Sequence, residues 1–280
     1  MAAVRLAGIQ IFRIVARNPQ LRLELNEIEI YFQSRFMKPF AVVLVLTLPA
    51  VLSSTASADR RLFTYTYEYK TVPQGHTALE LWHTQARDTW DSSHVQTMEH
   101  VLEVEHGLTD HWDAAMYWVF EQTSSDVMGV ASTPFAFHEL KLETRYRFAD
   151  RGEWPVDVLA YGEVVKVFGE QVWEVEGKAI LARDFDKFTA ALNIIGALEF
   201  EPEAEPEFGY AAGLSYEVHP KFSVGAETYA KITEYEQSFA GGPALAVAPA
   251  ANLWLTFTLG FGFNDEAPAL AGRFILGVEL

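Results

Sequence analysis

The sequence predicts an all-β protein, a single antiparallel up-and-down β-barrel that spans a membrane with about 12 strands. Three observations predict this fold. Most segments of about ten to fourteen residues alternate between apolar and polar side chains. Short turns and looser connections follow one another along the chain, and an export signal precedes them all.

The alternation is clearest from Glu139 to Phe148, ELKLETRYRF, where charged residues occupy the odd positions and uncharged residues the even ones. Successive residues of a strand point to opposite sides, whereas on a helix the same charges would scatter around every side. A two-sheet sandwich in water is the alternative. Long segments with aromatic residues near their ends favour a lipid-facing band with interfacial girdles instead.

Residues 241–263 are uncharged and long enough to cross a bilayer as one helix. Pro243 and Pro249 would break the hydrogen-bond ladder of such a helix, and the second half of the stretch alternates with period two. We therefore predict two strands that are joined near Pro249 and Asn252.

The connections give the strand count. Short turns are predicted at Gly107–His111, Asp150–Pro155, Arg183–Lys187, His219–Lys221 and Pro249–Asn252. Looser connections are predicted at Asp88–His94, Gln122–Pro134, Phe168–Gln171, Glu201–Glu207, Tyr235–Gly242 and Asn264–Pro268. We expect the first set in the periplasm and the second outside the cell. The predicted strands are 77–87, 95–106, 112–121, 137–148, 156–167, 172–182, 188–200, 208–218, 222–234, 243–249, 253–263 and 270–280.

The run Leu62 to Tyr69 alternates as well, but a thirteenth strand would break the even parity of bacterial barrels. We interpret residues 59–76 as a periplasmic or lumenal N-terminal segment, or as an extension of the sheet edge. The barrel itself is predicted to occupy residues 77–280.

Residues 37–58 are interpreted as a cleaved signal peptide. Lys38 provides the positive region, residues 40–52 the apolar region, and Ala56 and Ala58 the small residues of the cleavage site. About 13 apolar residues are too few to span the hydrocarbon core as a helix. Residues 1–36 form an N-terminal extension, which we attribute to a misassigned start because a signal peptide normally opens the chain.

Composition excludes several classes of function. The formal net charge is −17, which argues against binding nucleic acid through a basic surface. The chain has no cysteine, so disulfides, thiolate metal sites, thiol nucleophiles and a lipoprotein anchor are excluded.

If the charged faces point inward, the barrel lumen collects many ionisable side chains. Turning the face of residues 139–147 toward lipid would cost about 2 to 4 kcal/mol for each Arg or Lys near the midplane. The predicted lumen-lining residues are Glu99, Glu103, Asp113, Glu121, Glu139, Lys141, Glu143, Arg145, Arg147, Asp157, Glu163, Glu174, Glu176, Lys178, Glu217, Glu227, Lys231 and Arg273. They fit either a narrow pore or a closed, salt-bridged interior. In a pore the acidic excess would favour cations, while Lys141, Arg145 and Arg147 would form a local site for an anionic group.

Motifs for catalysis are few. His83, His100, His106 and His138 lie on predicted strands, as a lipid hydrolase would require, but no serine partner or Gly-x-Ser-x-Gly elbow accompanies them. His-Glu-x-x-His, P-loop and dinucleotide-binding motifs are absent from the sequence. No catalytic, cofactor or metal site is predicted.

The chain resembles single-chain outer-membrane barrels of the phenol-degradation MetA type. The resemblance depends on the Ala-x-Ala signal peptide, the turn Gly107–Trp112 after an acidic strand, the charged strand Leu140–Phe148 and a terminal strand. The chain departs from such barrels at Leu280, where they commonly end in an aromatic residue. The resemblance implies a location in the Gram-negative outer membrane, contact with its lipid and with the barrel-assembly machinery, and a channel or transporter for small solutes or ions. A structural or adhesive barrel without transport is the alternative.

Overall fold

The computed structural model describes residues 60–169, 172–200 and 206–280. The predicted extension 1–36, the signal peptide 37–58 with Ala56 and Ala58, and the expected mature N-terminus Asp59 lie outside the described residues. Among the residues that are described, no helix is long and apolar enough to cross a membrane.

Twelve antiparallel strands close into one barrel, in which each strand pairs with its neighbours in sequence and β1 pairs with β12. Their bounds are β1 Thr77–Arg87, β2 Val95–Thr109, β3 Trp112–Ser125, β4 Thr133–Arg147, β5 Asp157–Val167, β6 Trp173–Phe185, β7 Phe188–Glu199, β8 Pro206–His219, β9 Phe222–Ile232, β10 Gln237–Ala250, β11 Leu253–Gly262 and β12 Leu270–Glu279. The predicted fold class and strand number are confirmed.

Alternation along the strands separates two surfaces of the barrel. In β4, Leu142 is 50% exposed on the outside, whereas the adjacent Glu143 is buried on the inside. Leu142 pairs with Met116 of β3 and Val164 of β5, so three apolar side chains share one patch of the outer face. Such an outer face suits hydrocarbon, and closure of the sheet removes the unpaired edges that hydrocarbon would not tolerate.

Several strands extend beyond their predicted ends. β10 starts at Gln237 instead of residue 243, and β3 and β4 take up six of the thirteen residues of the predicted loop 122–134. In β10, Gly242 and Pro243 lack partners in the β11 register although they pair with β9. Proline has no N–H for the ladder, and a Cβ on Gly242 would collide with the carbonyl oxygen of Leu259. Turn-forming residues therefore occur within a strand, which explains the misplaced start of β10.

The barrel has two distinct ends. At the turn end, two residues each separate β2 from β3, β6 from β7, β8 from β9 and β10 from β11. The start of β1 and the finish of β12 also lie at this end. The loop end carries the other set of connections, including the one between Arg87 of β1 and Val95 of β2. The turn end is the one predicted to face the periplasm.

Candidate functional site

The lumen contains part of the chain itself. Residues 60–72, here called the lumenal segment, enter at the turn end, where Arg60 donates to the carbonyl of Pro220 and lies 3.5 Å from Glu217. The middle of the segment contacts the central residues of β7 and β9. The chain then returns to the turn end, where the Thr71 hydroxyl donates to the carbonyl of Asp110 at 2.9 Å. The segment is not a thirteenth strand, since residues 60–76 add only the isolated bridge between Gln74 and Gly107.

One carboxylate on the wall holds the middle of the lumenal segment. Glu227 of β9 accepts the backbone N–H groups of Thr64, Tyr65 and Thr66 at 2.8 to 3.0 Å. It also accepts the hydroxyls of Thr64 at 3.0 Å, Thr66 at 2.9 Å and Thr258 of β11 at 2.5 Å. Three successive N–H groups that converge on one anion form a backbone nest. Glu227 is therefore fully engaged by the segment and one neighbouring strand.

Asn193 of β7 fixes the next part of the segment. Its side-chain oxygen accepts the backbone N–H of Tyr67 at 2.7 Å, and its amide nitrogen donates to the carbonyl of Tyr67 at 2.8 Å. The side chain thus satisfies both backbone groups of one residue, as a partner strand would. Asn193 was not among the predicted lumen residues, because a single amide in a predicted strand gives no distinctive signal.

Arg61 attaches the segment to the opposite wall. Its guanidinium lies 3.2 Å from Glu80 of β1 and 4.0 Å from Glu103 of β2, and it stacks over the rings of Tyr67 and Trp82. The side chain is almost completely buried. A buried carboxylate is costly without a partner of opposite charge. The segment therefore supplies a cation that this acidic wall requires.

Aromatic side chains of the lumenal segment also pack against the barrel wall. Phe63 is fully buried, and a Cβ on Gly213 of β8 would lie 2.7 Å from its ring. Tyr65 stacks on Tyr229 of β9 with ring centroids 3.9 Å apart, and the guanidinium of Arg273 lies 4.1 Å from the Tyr65 ring centroid. This stack faces the loop end of the lumen. The Phe63 ring has room at this position because the facing residue of the wall, Gly213, has no side chain.

Free space beside the lumenal segment is limited. A cavity of about 30 Å³, lined by Tyr67, Glu105 and Arg145 among others, separates part of the segment from the wall. A larger cavity of about 390 Å³ opens at the turn end, lined by Arg60, Lys187 and other polar residues. The segment therefore separates a vestibule at the turn end from the half of the lumen toward the loop end.

The predicted lumen residues lie on the inward faces of their strands. Those near the lumenal segment are Glu103, Asp113, Glu143, Arg145, Arg147, Asp157, Glu217 and Glu227. Those toward the loop end are Glu99, Glu121, Glu139, Lys141, Glu163, Glu174, Glu176, Lys178, Lys231 and Arg273, of which Lys178 and Arg273 also lie over rings of the segment. The chain also places Glu80, Glu105 and Asn193 on these faces, which the prediction omitted.

The cations of this surface other than Arg147 are paired with carboxylates. Arg145 contacts Asp113 at 2.8 Å, Glu143 at 3.2 Å, and also Glu105. Lys141 lies 3.3 Å from Glu139 and 3.7 Å from Glu163. The further pairs are Lys178 with Glu176, Lys231 with Glu207, and Arg273 with Glu99.

The predicted anion site at Lys141, Arg145 and Arg147 stays a prediction, and all three cations already have protein partners in this structure. Carboxylates already occupy Lys141 and Arg145, while Arg147 donates to the carbonyl of Asp110 and lies over the ring of Tyr69. The spacing of positive residues along one strand does not show which residues of the neighbouring strands will pair with them.

Histidines on the outer face form a separate group. His83 of β1 and His100 of β2 are register partners, with ring centroids 4.6 Å apart and Nδ1 atoms 3.4 Å apart. Phe135 contacts the ring of His100 edge-on. In the described part of the chain, no group of three or more His, Asp or Glu residues is arranged to hold a metal ion.

Comparison with known proteins agrees with this architecture. The family model described as "Putative MetA-pathway of phenol degradation" matches residues 166–274. No curated protein matches the chain. The COG4313 outer membrane channel from Pseudomonas putida F1 is similar in structure, with a TM-score of 0.67 at 13% identity over 78% of this chain and 100% of that one.

Two other solved barrels are more distant. The KdgM porin in complex with disordered oligogalacturonate has a TM-score of 0.49 at 10% identity, over 72% of this chain and 97% of that one. LpxR from Salmonella typhimurium has a TM-score of 0.46 at 8% identity, over 71% of this chain and 99% of that one. The family match bears out the resemblance to MetA-type barrels that was inferred from the sequence, and the COG4313 likeness bears out the barrel fold.

Proposed function

We propose that the protein is an outer-membrane channel that carries small solutes through its lumen, and that the lumenal segment closes the path in this structure. The observation that carries the proposal is the polar inner face of the closed barrel. Strands β1 to β6, β8, β9 and β12 contribute ionisable side chains to it. Charged groups at membrane depth are expensive and commonly mark a pathway for ions or polar solutes.

The occupant of the lumen also favours a channel. Residues 60–72 cross the path as an irregular chain that hydrogen-bonds to side chains of the wall, among them Glu227 and Asn193, and adds no strand to the sheet. The twelve strands therefore form a complete barrel without the lumenal segment. A barrel that serves only as a structural or adhesive element has no need of a separate occupant of this kind.

Charge indicates which solutes the path prefers. The half of the lumen toward the loop end contains more carboxylates than cations, since six of the predicted residues there are Glu and four are Lys or Arg. Rings of Asp and Glu side chains favour cations in channels. We therefore expect cations or cationic solutes to pass more readily than anions.

A structural barrel remains the alternative, because ion pairs such as Arg145 with Asp113 would stabilise a permanently closed interior. A lipid hydrolase is the weaker alternative. A serine nucleophile needs a base within hydrogen-bond reach. Among the described contacts, the side-chain hydrogen bond of His83 and His100 joins them to each other and not to a serine.

Planar-bilayer recording of the refolded mature protein tests the proposal. We expect brief single-channel steps with a reversal potential that indicates cation preference. Repeated silence from protein that shows the heat-modifiable gel mobility of a folded barrel would contradict the channel and favour the structural barrel. Lipid hydrolysis by the same sample would instead support the enzyme.

A further inference from the structure

We propose that the lumenal segment is a displaceable plug, and that Glu227 is the latch that holds it closed. This inference rests on the proposed channel function but concerns how the path opens. It requires that the segment leave the lumen while the barrel wall remains intact. The contacts of the segment meet that requirement.

The lumenal segment is not part of the sheet. The strand ladder runs from β1 through β12 and back to β1 without residues 60–72. Leaving the lumen would thus break no strand pairing. The covalent link to the barrel is at Thr77, where β1 begins at the turn end. The segment both enters and leaves the lumen at that end, so it is able to withdraw without threading through the barrel.

Many contacts of the segment are concentrated at one residue of the wall, Glu227. Of the six described groups that donate to Glu227, five belong to Thr64, Tyr65 and Thr66 at the top of the segment. The sixth is the hydroxyl of Thr258 on the wall. A carboxylate accepts these bonds with both oxygens, and hydrogen bonds to a charged acceptor are the stronger kind. Removing the charge of this one side chain weakens the most heavily bonded part of the plug.

Glu227 retains partners when the segment leaves. Thr258 remains beside it, and water would enter the vacated lumen and solvate the carboxylate. Glu80 would lose Arg61 but would likewise gain water. Charges that are costly in a dry interior are tolerated in a wet one. Glu227 therefore has hydrogen-bond partners in both the plugged and the open lumen.

A thiol-labelling experiment on the full mature chain tests the latch. The chain has no native cysteine, so Thr66→Cys introduces a single thiol at a position that is 1% exposed in the plugged state. The labelling rate with a water-soluble maleimide then reports how often the segment leaves the lumen. We compare Thr66→Cys alone, with Glu227→Gln, and with Glu207→Gln as the matched control. Glu207 is another inward carboxylate, paired with Lys231 of β9 at 2.5 Å and outside the contacts of the segment.

We expect Glu227→Gln to raise the labelling rate of the introduced thiol at least about tenfold, the factor that corresponds to the loss of one charge-assisted hydrogen bond. Glu207→Gln should leave the rate within about twofold of the parent, well under the effect of one hydrogen bond. An unchanged rate in a folded Glu227→Gln protein would overturn the latch. Glu227→Asp, which keeps the charge, should label more slowly than Glu227→Gln, and equal rates would also contradict the proposal.

Conductance of the same proteins separates this inference from the proposed channel. Faster labelling with more frequent openings supports both. Faster labelling with no conductance would support the displaceable segment and contradict the channel. Frequent openings with unchanged labelling would support the channel and overturn the plug.

Discussion

Glu227 accepts both the backbone N–H and the hydroxyl of Thr64, at 2.9 and 3.0 Å, although 163 residues separate them in the chain. This contact joins a residue from the start of the described chain to a strand late in the barrel. Because β9 is held on both sides by β8 and β10, Glu227 is a fixed point. The segment that contains Thr64 has no such support except through its contacts with the wall.

Enlarging Gly213 should loosen the segment from its apolar side. In Gly213→Ala the new Cβ would lie 2.7 Å from the Phe63 ring, so the ring must move away. In the Thr66→Cys background we expect faster thiol labelling and more frequent channel openings. Gly162→Ala is the control, since a Cβ there meets nothing within 4 Å. Equal behaviour of both variants and the parent would show that Phe63 packing does not hold the segment.

Charge placed on the outer face should impair assembly. Leu142→Arg would place a guanidinium among Met116 and Val164 on the lipid side, at a cost of about 2 to 4 kcal/mol near the midplane. Glu143→Gln is the control on the inner face. There the amide is still able to accept from Tyr117, while Arg145 keeps Asp113. We expect heat-modifiable mobility for Glu143→Gln and its loss for Leu142→Arg. The reverse pattern would invert the faces of β4.

Opposite changes of charge should shift selectivity in opposite directions. Glu139 and Lys141 lie two residues apart on the inner face of β4 and pair with each other at 3.3 Å. Glu139→Gln should reduce cation preference and Lys141→Gln should increase it, because each removes one fixed charge from the same wall. Reversal potentials across a salt gradient measure this. Shifts in the same direction would mean that these side chains do not line the conducting path.

Orientation in the membrane is testable in intact cells. Met128, between β3 and β4, is 99% exposed at the loop end, and Thr109 is exposed at the turn end. We expect Met128→Cys to react with an impermeant thiol reagent and Thr109→Cys to stay unlabelled until the outer membrane is permeabilised. Labelling of Thr109→Cys alone would place the turn end outside the cell.

Alternation was sufficient to predict the faces of β4, since the charges of residues 139–147 and the uncharged residues between them fall on opposite sides. It also placed Glu227 in the lumen. It did not reveal the partners of Glu227, because they are mostly backbone groups of an irregular segment far away in sequence. The start of β10 was missed for a local reason, as Gly242 and Pro243 resemble a turn while β9 keeps them in the sheet.

Locking the lumenal segment in place shows whether a channel lies behind it. Tyr65 and Tyr229 stack at 3.9 Å between ring centroids, and the chain has no other thiol to interfere with a Cys pair at these positions. Mature protein carrying Tyr65→Cys and Tyr229→Cys is joined with a short, reducible crosslinker and recorded in planar bilayers before and after reductant. We predict silence while the crosslink is intact and single-channel steps after its reduction. Steps of equal frequency and size in the crosslinked protein would contradict the claim that residues 60–72 close the path.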